Sequence, residues 1–261
     1  MALININGVS LEVERIDGVG RAGRAPIVFL HEGLGSVAQW TTREGDWPQA
    51  VCEACGRDGV VYSRRGYGRS DPIPDIRGAN RLRPDYMHQE AWTVLPVLLQ
   101  TLGVSQPVLL GHSDGGSIAL LHASLHPVSA CVVMAPHVMV EPVSIQAITA
   151  ARDAYLNGAL RERLARYHDD VDCAFWQWND VWLSPAFRSF DIREACRRIR
   201  APLLAIQGRE DPYGSLQQIE DIRPLHGRIE SCVLDHCGHA PQRDQSKACL
   251  ARITSFLAAC P

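Results

Sequence analysis

The sequence predicts an α/β protein with a mostly parallel, doubly wound sheet and an inserted helical lid. Short apolar runs, typical of strands buried on both faces, alternate with segments of helical spacing along most of the chain. Such alternation favours a parallel sheet that helices cover on both sides. One interval, residues 137–195, breaks the alternation. The 261 residues suffice for one large domain with a full hydrophobic core.

The elements follow one another at short intervals. Residues 2–16 predict an antiparallel hairpin at the start of the sheet. The later strands are predicted at residues 26–31, 59–63, 107–111, 130–135, 202–207 and 229–234. The helices of the core are predicted at residues 84–102, 114–126 and 242–259, and Gly103 is expected to end the first of them.

The interval at residues 137–195 has helical segments and no strand-like run. We predict helices at 143–155, 158–168 and 171–183, the last rich in large aromatic side chains. A connection of this length needs structure of its own. We therefore expect residues 137–195 to form a helical lid, and residues 1–136 and 196–261 to form the core domain.

Composition excludes several classes of partner. The net charge of −3 with mixed signs gives no electrostatic reason to expect nucleic acid or an anionic membrane as partner. No apolar run approaches the roughly 20 residues that cross a bilayer, and the alternating residues 1–8 do not resemble a signal peptide. We expect a cytoplasmic protein that acts on a small molecule, and a homo-oligomer is an open alternative.

The cysteine pattern predicts free thiols. The nine cysteines are an odd number scattered along the chain, which favours buried thiols in a reducing compartment. Cys52 and Cys55 have C-x-x-C spacing, but no second pair or matching histidine cluster follows. We therefore predict no metal and no cofactor.

The most informative segment is Gly-His-Ser-Asp-Gly-Gly at residues 111–116, between a predicted strand and a predicted helix. It matches the G-x-S-x-G nucleophile elbow. A serine hydroxyl becomes a good nucleophile when it is exposed at a sharp turn beside a base and a helix N-terminus. Gly111 and Gly115 supply the small neighbours that such a turn needs. Ser113 is the candidate nucleophile, and an ordinary helix N-cap is the alternative.

An acid and a base follow in the order expected for such a site. Asp211 lies just after the strand at 202–207, and His239 just after the strand at 229–234. Open parallel sheets place their sites at the carboxyl ends of the strands. The order serine, acid, histidine also fits the nucleophile elbow. Glu210 and His236 are the alternatives for the acid and the base.

With these residues the chain resembles the α/β-hydrolase fold family, in particular its lid-bearing serine hydrolases. Residues 64–71, Arg-Arg-Gly-Tyr-Gly-Arg-Ser-Asp, resemble the R-G-x-G-x-S loop of that family. Residues 30–36, Leu-His-Glu-Gly-Leu-Gly-Ser, resemble its H-G-x-x-G oxyanion loop. Glu32 stands where the family usually has glycine. We expect its side chain to turn away from the oxyanion, onto Arg64 or Arg65.

The resemblance implies a Ser-Asp-His triad of the carboxylesterase kind. In this mechanism His239 takes the proton of Ser113, and Asp211 orients the imidazole. The backbone N–H groups of Gly33 and Asp114 would bind the oxyanion. The expected activity is hydrolysis of a carboxylic ester of a small, largely apolar substrate through an acyl-enzyme.

Four further side chains are candidates for contact with the substrate: Trp40, His137, Trp178 and Trp182. Trp40 follows the oxyanion loop, and His137 follows a strand end that faces the expected cleft. Trp178 and Trp182 are spaced i, i+4 and so share one face of a helix. For this pair, the hydrophobic core of the lid is the alternative location.

Other activities would use the same three residues. A hydrolase that cleaves carbon–carbon bonds in vinylogous diketones, a lactonase, a thioesterase and a perhydrolase are all compatible with the sequence. A haloalkane dehalogenase is disfavoured, because that branch has an aspartate at the position of Ser113. A small-molecule receptor that carries a triad is the alternative outside catalysis.

Overall fold

The structure, a computed structural model, describes residues 1–42 and 45–260. Arg43, Glu44 and Pro261 belong to the predicted core domain and lie outside the described residues. Eight strands form one sheet. They are β1 (Ala2–Ile6), β2 (Val9–Ile16), β3 (Ile27–Leu30), β4 (Gly59–Tyr62), β5 (Val108–His112), β6 (Ala130–Met134), β7 (Leu203–Gly208) and β8 (Ile229–Leu234).

The strand order is β1-β2-β4-β3-β5-β6-β7-β8. β1 pairs antiparallel with β2, β2 pairs antiparallel with β4, and all later pairs are parallel. The predicted fold class is therefore confirmed. The parallel strands end at one edge of the sheet, and this edge carries the loops with the candidate site residues.

Helices cover both faces of the sheet. They are α1 (Trp47–Cys55), α2 (residues 86–101), α3 (Asp114–Ala123), α4 (Pro142–Leu156), α5 (Ala159–Leu164), α6 (Val171–Trp182), α7 (Arg193–Cys196), α8 (Gln217–Glu220), α9 (Pro241–Asp244) and α10 (Ser246–Ala258). Alternate residues of β3 face opposite ways. Val28 and Leu30 belong to the apolar cluster of α2 and α3, and Ile27 and Phe29 to that of α1 and α10.

Helix α2 contains one wide turn. The segment consists of Tyr86–Gln89, a π-helical turn at Glu90–Val94, and Leu95–Thr101. The N–H of Leu95 donates to the carbonyl of Glu90, five residues back. The next residue, Pro96, has no N–H to donate, and a wide turn accommodates this gap in the hydrogen bonding.

The helices between β6 and β7 form an insertion with a narrow base. Met139 and Asp191 form an isolated antiparallel bridge, and the N–H of Ile192 donates to the carbonyl of Val138 at 2.8 Å. The chain thus leaves and re-enters the core at one place. We refer to residues 139–191 as the helical insertion; it contains α4, α5, α6 and a single 3-10 turn at Pro185–Ser189.

The second helix of the insertion is shorter than predicted. α5 ends at Leu164, whereas the sequence predicts a helix to residue 168. The chain leaves the helix there, and the ring of His168 lies between two core loops. Its Nδ1 accepts from the N–H of Gly68 at 2.9 Å, and its Nε2 donates to the carbonyl of Leu34 at 3.0 Å. A tertiary contact therefore overrides the local helical pattern.

None of the helices in the described part of the chain has the length and apolar character needed to cross a bilayer. All nine cysteines are free thiols, as the sequence predicts.

Candidate active site

Ser113 lies at a strained turn between β5 and α3. Its backbone has φ 52° and ψ −119°, a region that non-glycine residues rarely adopt. The turn requires very small neighbours: a Cβ on Gly111 would lie 2.2 Å from the carbonyl oxygen of Gly115, and a Cβ on Gly115 would lie 2.0 Å from that of Leu30. The Ser113 side chain makes no cap hydrogen bond to α3. Its Oγ is therefore free to bond elsewhere.

The structure brings the three predicted triad residues into one hydrogen-bonded chain. His239 Nε2 lies 2.9 Å from Ser113 Oγ, and His239 Nδ1 lies 2.8 Å from Asp211 Oδ2. Because the carboxylate can only accept, Nδ1 carries the proton and Nε2 accepts from the serine hydroxyl. This is the tautomer in which a histidine can take the proton of a serine.

Asp211 is held by donors on both oxygens. Gln207 Nε2 donates to its Oδ2 at 2.7 Å, and the N–H of Tyr213 donates to its Oδ1 at 2.8 Å. Burial by itself would raise the pKa of this carboxyl group, but the hydrogen bond and charge of His239 outweigh it and lower the pKa of Asp211. The group is thus a carboxylate at neutral pH, as an acceptor for His239 must be.

Glu210 and His236, the alternative acid and base, lie outside the hydrogen-bonded chain of Ser113, His239 and Asp211. Glu210 accepts from the N–H groups of His236 and Cys237 at 3.3 and 2.7 Å. It therefore fixes the loop that carries His239 and takes no part in the serine–histidine chain. The ring of His236 is exposed.

The loop at residues 30–36 is fixed by His31 and Arg64. His31 Nδ1 donates to the carbonyl of Glu32 at 2.7 Å, and its Nε2 accepts from the N–H of Arg64 at 3.0 Å. The Arg64 guanidinium donates to the carbonyls of His31 and Glu32 at 2.6 and 3.0 Å. Gly33 and Asp114 line the same cavity as Ser113. Among the described residues, neither of their amides has an acceptor, so both can donate to an oxyanion.

The prediction for the side chain of Glu32 is wrong. Arg64 uses its guanidinium on backbone carbonyls, and the Glu32 carboxylate instead accepts from Gln39 Nε2 at 3.0 Å. The other oxygen lies 3.8 Å from His112 Nδ1, inside the cavity that Ser113 lines. Burial works to raise the pKa of Glu32, but the electrostatic effects of its neighbours, His112 in its protonated form first and Arg243 next, give a net lowering. An ionised carboxylate therefore faces the cavity.

Glu32, His112 and His239 also form a group whose ligand atoms lie within 4.8 Å of one another. All four ring nitrogens have hydrogen-bond partners: His112 bonds to Gln242 and to the carbonyl of His239, and His239 bonds to Asp211 and Ser113. A metal here would have to displace these bonds. Burial lowers the pKa of His112 to about 4, so this ring is neutral at pH 7.

Asp114 has a different environment from Asp211. Its Oδ2 accepts from the hydroxyl of Tyr86 at 2.5 Å, and that hydroxyl accepts from Trp182 Nε1 at 3.0 Å. Its Oδ1 is buried without a hydrogen-bond partner among the described residues. Burial is the largest effect on this group and raises the pKa of Asp114, although the charge of Arg64 acts in the opposite direction.

The cavity above Ser113 has a volume of about 1100 Å³. His137, Trp178 and Trp182 line it, as predicted for substrate contacts, and the two tryptophans also belong to the apolar cluster under the insertion. Trp178 packs so closely on the oxyanion loop that a Cβ on Gly33 would lie 2.2 Å from its Nε1. Burial lowers the pKa of His137 to about 3, so its ring is neutral.

The prediction for Trp40 is wrong. Its side chain is buried in the core, stacked on Trp47 at 5.8 Å between ring centroids and edge-on to Phe29. The 3-10 turn at Val37–Trp40 directs the ring inward, under α1. Proximity to the oxyanion loop in sequence therefore does not place this residue at the cavity.

Several cavity and site residues were missed by the sequence analysis. Tyr213 contacts His239, with ring centroids 4.6 Å apart, and its position two residues after Asp211 was an available signal. Tyr86 lies within a helix that is remote in sequence, and no local pattern indicates its contact with Asp114. The other missed residues in the cavity wall include Gln39, Thr41, Thr42, Ala147, Ile148, Ala150, Ala151, Ala154, Leu160, Arg163, Leu164, Tyr167, Gln242 and Arg243.

The chain is similar in sequence to curated hydrolases. Among curated proteins, the proposed carbamate hydrolase RutD of Pseudomonas savastanoi pv. phaseolicola is 24% identical over 240 residues, which cover 83% of this chain and 87% of that protein. The bifunctional esterase/perhydrolase DCH of Acinetobacter calcoaceticus is 24% identical over 221 residues, or 72% of this chain and 75% of that protein.

Solved structures and a family profile complete the comparison. The enol-lactonase from Burkholderia xenovorans LB400 shares the fold, with a TM-score of 0.72 and 19% identity over 98% of this chain and 100% of that chain. The profile described as "Alpha/beta hydrolase family" matches residues 27–252. This chain therefore belongs to the alpha/beta hydrolase family.

Proposed function

We propose that the protein is a serine esterase that cleaves a carboxylic ester of a small, largely apolar substrate. The observation that carries this proposal is the hydrogen-bonded chain from Ser113 through His239 to Asp211 at the wall of a large cavity. The family establishes a hydrolase. The choice of an ester and of a covalent serine mechanism is our proposal.

The reaction proceeds in two halves. His239 Nε2 takes the hydroxyl proton as Ser113 Oγ attacks the ester carbonyl, and the oxyanion accepts from the amides of Gly33 and Asp114. His239 then gives the proton to the leaving alcohol, and the acyl group remains on Ser113. In the second half His239 takes a proton from water, the hydroxide attacks the acyl carbon, and the proton returns to Ser113 as the acid departs.

The catalytic cavity has an apolar wall from the insertion and a more polar wall from the core. The insertion contributes Ala147, Ala150, Ala151 and Ala154, which share one face of α4 and leave room for an apolar group. The core contributes polar side chains near the oxyanion loop, including the Glu32 carboxylate. An ester with its apolar part against α4 would place its carbonyl at Ser113.

A covalent probe tests the nucleophile. A fluorophosphonate should label the protein once, with the adduct on Ser113 by mass spectrometry. Ser113→Ala should abolish labelling and ester turnover, while Ser105→Ala, an exposed serine before β5, should leave both unchanged. Labelling at another residue, or full labelling of Ser113→Ala, would overturn the proposal.

A substrate panel tests the choice of an ester. We expect multiple turnovers on p-nitrophenyl esters of short acids and none on a vinylogous diketone. Faster cleavage of the diketone would contradict the choice of an ester and indicate that the same triad hydrolyses carbon–carbon bonds. A single turnover with a persistent adduct would favour the alternative that the protein is a small-molecule receptor that carries a triad.

The name of one relative favours a second candidate activity. The Acinetobacter protein is named an esterase/perhydrolase, and an acyl-enzyme on Ser113 could transfer its acyl group to hydrogen peroxide instead of water. We expect peracid to form when peroxide is added to an ester reaction. The Ser113→Ala variant should form none.

A further inference from the structure

A second cavity of about 640 Å³ has Gln177 of α6 in its wall, whereas Trp178 and Trp182 of the same helix line the catalytic cavity. Its walls are the loop after β4, the segment at residues 73–85, the start of α2, and Gln177 of α6. Its lining has no described residue in common with that of the catalytic cavity. Tyr86 belongs to its wall, and the hydroxyl of Tyr86 donates to Asp114.

Four arginines line this second cavity, and within the described ranges only Arg81 among them has a carboxylate partner. Arg64 donates to backbone carbonyls, and Arg81 lies 3.5 Å from Asp180. Within the described ranges, the Arg65 side chain makes one hydrogen bond, to the carbonyl of Pro72 at 3.4 Å. The side chain of Arg83 has no hydrogen bond or ion pair within the described ranges. Both of these guanidinium groups are therefore available for an anion.

The two carboxyl groups in the wall do not neutralise these arginines. Asp85 accepts from Gln89 at 3.1 Å, and Glu90 accepts from the hydroxyl of Tyr62 at 2.8 Å. Burial is the largest effect on Glu90 and raises its pKa. The cavity thus carries a net positive charge.

A buried amide in the wall also lacks a partner. Gln177 is 3% exposed, and its Nε2 has no hydrogen-bond partner among the described residues. Gly66 leaves room for this amide, since a Cβ there would lie 2.3 Å from its nitrogen. A buried donor without an acceptor costs about 1 to 3 kcal/mol. An acceptor atom of a bound molecule would remove that cost.

The remaining lining is apolar. Ile73, Pro74, Leu82 and Val94 contribute to the walls, together with the ring of Tyr67. We infer that this cavity binds a small organic carboxylate with an apolar body. The carboxylate oxygens accept from Arg65, Arg83 and Gln177, and the apolar body lies against the aliphatic side chains. A planar guanidinium matches a carboxylate in a two-point contact, which favours this anion over a spherical one.

Calorimetric titration with benzoate tests this site. We expect saturable binding, with at least about tenfold weaker binding in Arg83→Gln and in Arg65→Gln, because each substitution removes a charge-assisted hydrogen bond. Arg200→Gln, an exposed arginine on another part of the surface, is the matched control and should bind like the unsubstituted protein. Benzyl alcohol, which has the same apolar body without the charge, should bind at least about tenfold more weakly.

Three results would overturn the inference. They are no saturable binding of benzoate, equal binding of benzyl alcohol, and undiminished binding by both arginine variants. The last of these would mean that benzoate binds away from Arg65 and Arg83. Circular dichroism of each variant distinguishes a lost site from a lost fold. Because Ser113 takes no part in this test, its result is independent of the proposed esterase activity.

Discussion

The residues around Ser113 form two groups with different surroundings. His239 and Asp211, held by loops of the core, are here called the core side of the site. Asp114 and Tyr86, which Trp182 of the helical insertion reaches, are called the insertion side. Both carboxyl groups are buried, yet the pKa of Asp211 is lowered and that of Asp114 is raised. Asp211 accepts on both oxygens, whereas one oxygen of Asp114 has no partner among the described residues.

Burial acts to raise the pKa of both groups; at Asp211 the hydrogen bond and charge of His239 outweigh burial, whereas at Asp114 burial outweighs the charge of Arg64 and the nearby donors. Where several donors converge, the carboxylate is stabilised and can serve as an electrostatic partner. At Asp114, desolvation is the largest effect and raises the pKa of the carboxyl group. The arrangement at Asp211 can stabilise a histidine that gains a positive charge during the reaction. The arrangement at Asp114 suits a structural contact between the core and the insertion.

The largest expected effect concerns the core side. Asp211→Asn should lower kcat on a reactive ester by about 10⁴-fold, because the amide cannot hold His239 in the required tautomer. Asp114→Asn is the matched substitution on the other side of Ser113, and we expect it to lower kcat by less than about tenfold, since its carboxyl group touches no reacting atom. Steady-state kinetics on the same ester measure both. Equal losses in the two variants would contradict the difference between the two sides.

A second effect tests whether the insertion supports the oxyanion loop. Gly33→Ala would bring a Cβ to 2.2 Å from Trp178 Nε1, so either the loop or α6 must move. Loss of one oxyanion donor typically lowers kcat by about 100- to 1,000-fold, and we expect a loss within that range. Because the clash is with an indole, Gly33→Ala combined with Trp178→Ala should recover most of the rate relative to Trp178→Ala alone. No recovery would mean that the alanine perturbs the loop without involving the insertion.

The core side of the site could be predicted from the sequence. The glycines around Ser113, the strand ends before Asp211 and His239, and their order along the chain are all local features. Each of these features can be recognised within a short segment of the sequence, and the parallel sheet brings these segments together at one edge. The eight strands were predicted for the same reason, since alternating residues at 2–16 and short, mostly apolar runs further along are local features of the sequence.

The insertion side could not be predicted in the same way. Tyr86 and Asp114 meet because α2 and α3 pack together, and nothing near either residue indicates that contact. The directions of Glu32 and Trp40 were predicted wrongly for a related reason. Arg64 is taken by backbone carbonyls, which leaves Glu32 to Gln39, and the short turn after the oxyanion loop points Trp40 into the core. Side-chain direction in a loop depends on tertiary neighbours.

A third effect concerns the stability of the insertion side. Tyr86→Phe removes the hydroxyl that donates to Asp114 and accepts from Trp182, and leaves two buried polar groups without a partner. We expect the free energy of unfolding to fall by about 1 to 3 kcal/mol. Tyr155→Phe is the control, because that hydroxyl bonds to Asp172, whose side chain is 50% exposed and can bond to water instead. Urea unfolding should show the larger loss for Tyr86→Phe; an equal or smaller loss would contradict the expectation.

The smallest expected effect is on the pH dependence of the free energy of unfolding. It is also the most specific, because the contributions of Asp114 and Asp211 should change with pH in opposite directions. A carboxyl group whose pKa is raised by folding binds its proton more tightly in the native state, so its contribution to stability is complete below about pH 4 and is lost as the pH rises through the raised value. A carboxyl group whose pKa is lowered contributes above about pH 4, and this is lost as the pH falls. The first case is Asp114 and the second is Asp211.

Urea unfolding between about pH 3 and pH 7 can separate these two contributions. The stability of the unsubstituted protein relative to Asp114→Asn should decrease as the pH rises above about 4, since the native state then gives up a proton that it holds tightly. Its stability relative to Asp211→Asn should decrease as the pH falls below about 4. If both differences changed in the same direction with pH, the two carboxyl groups would share one environment, and the contrast between the donors around Asp211 and the desolvation of Asp114 would be wrong.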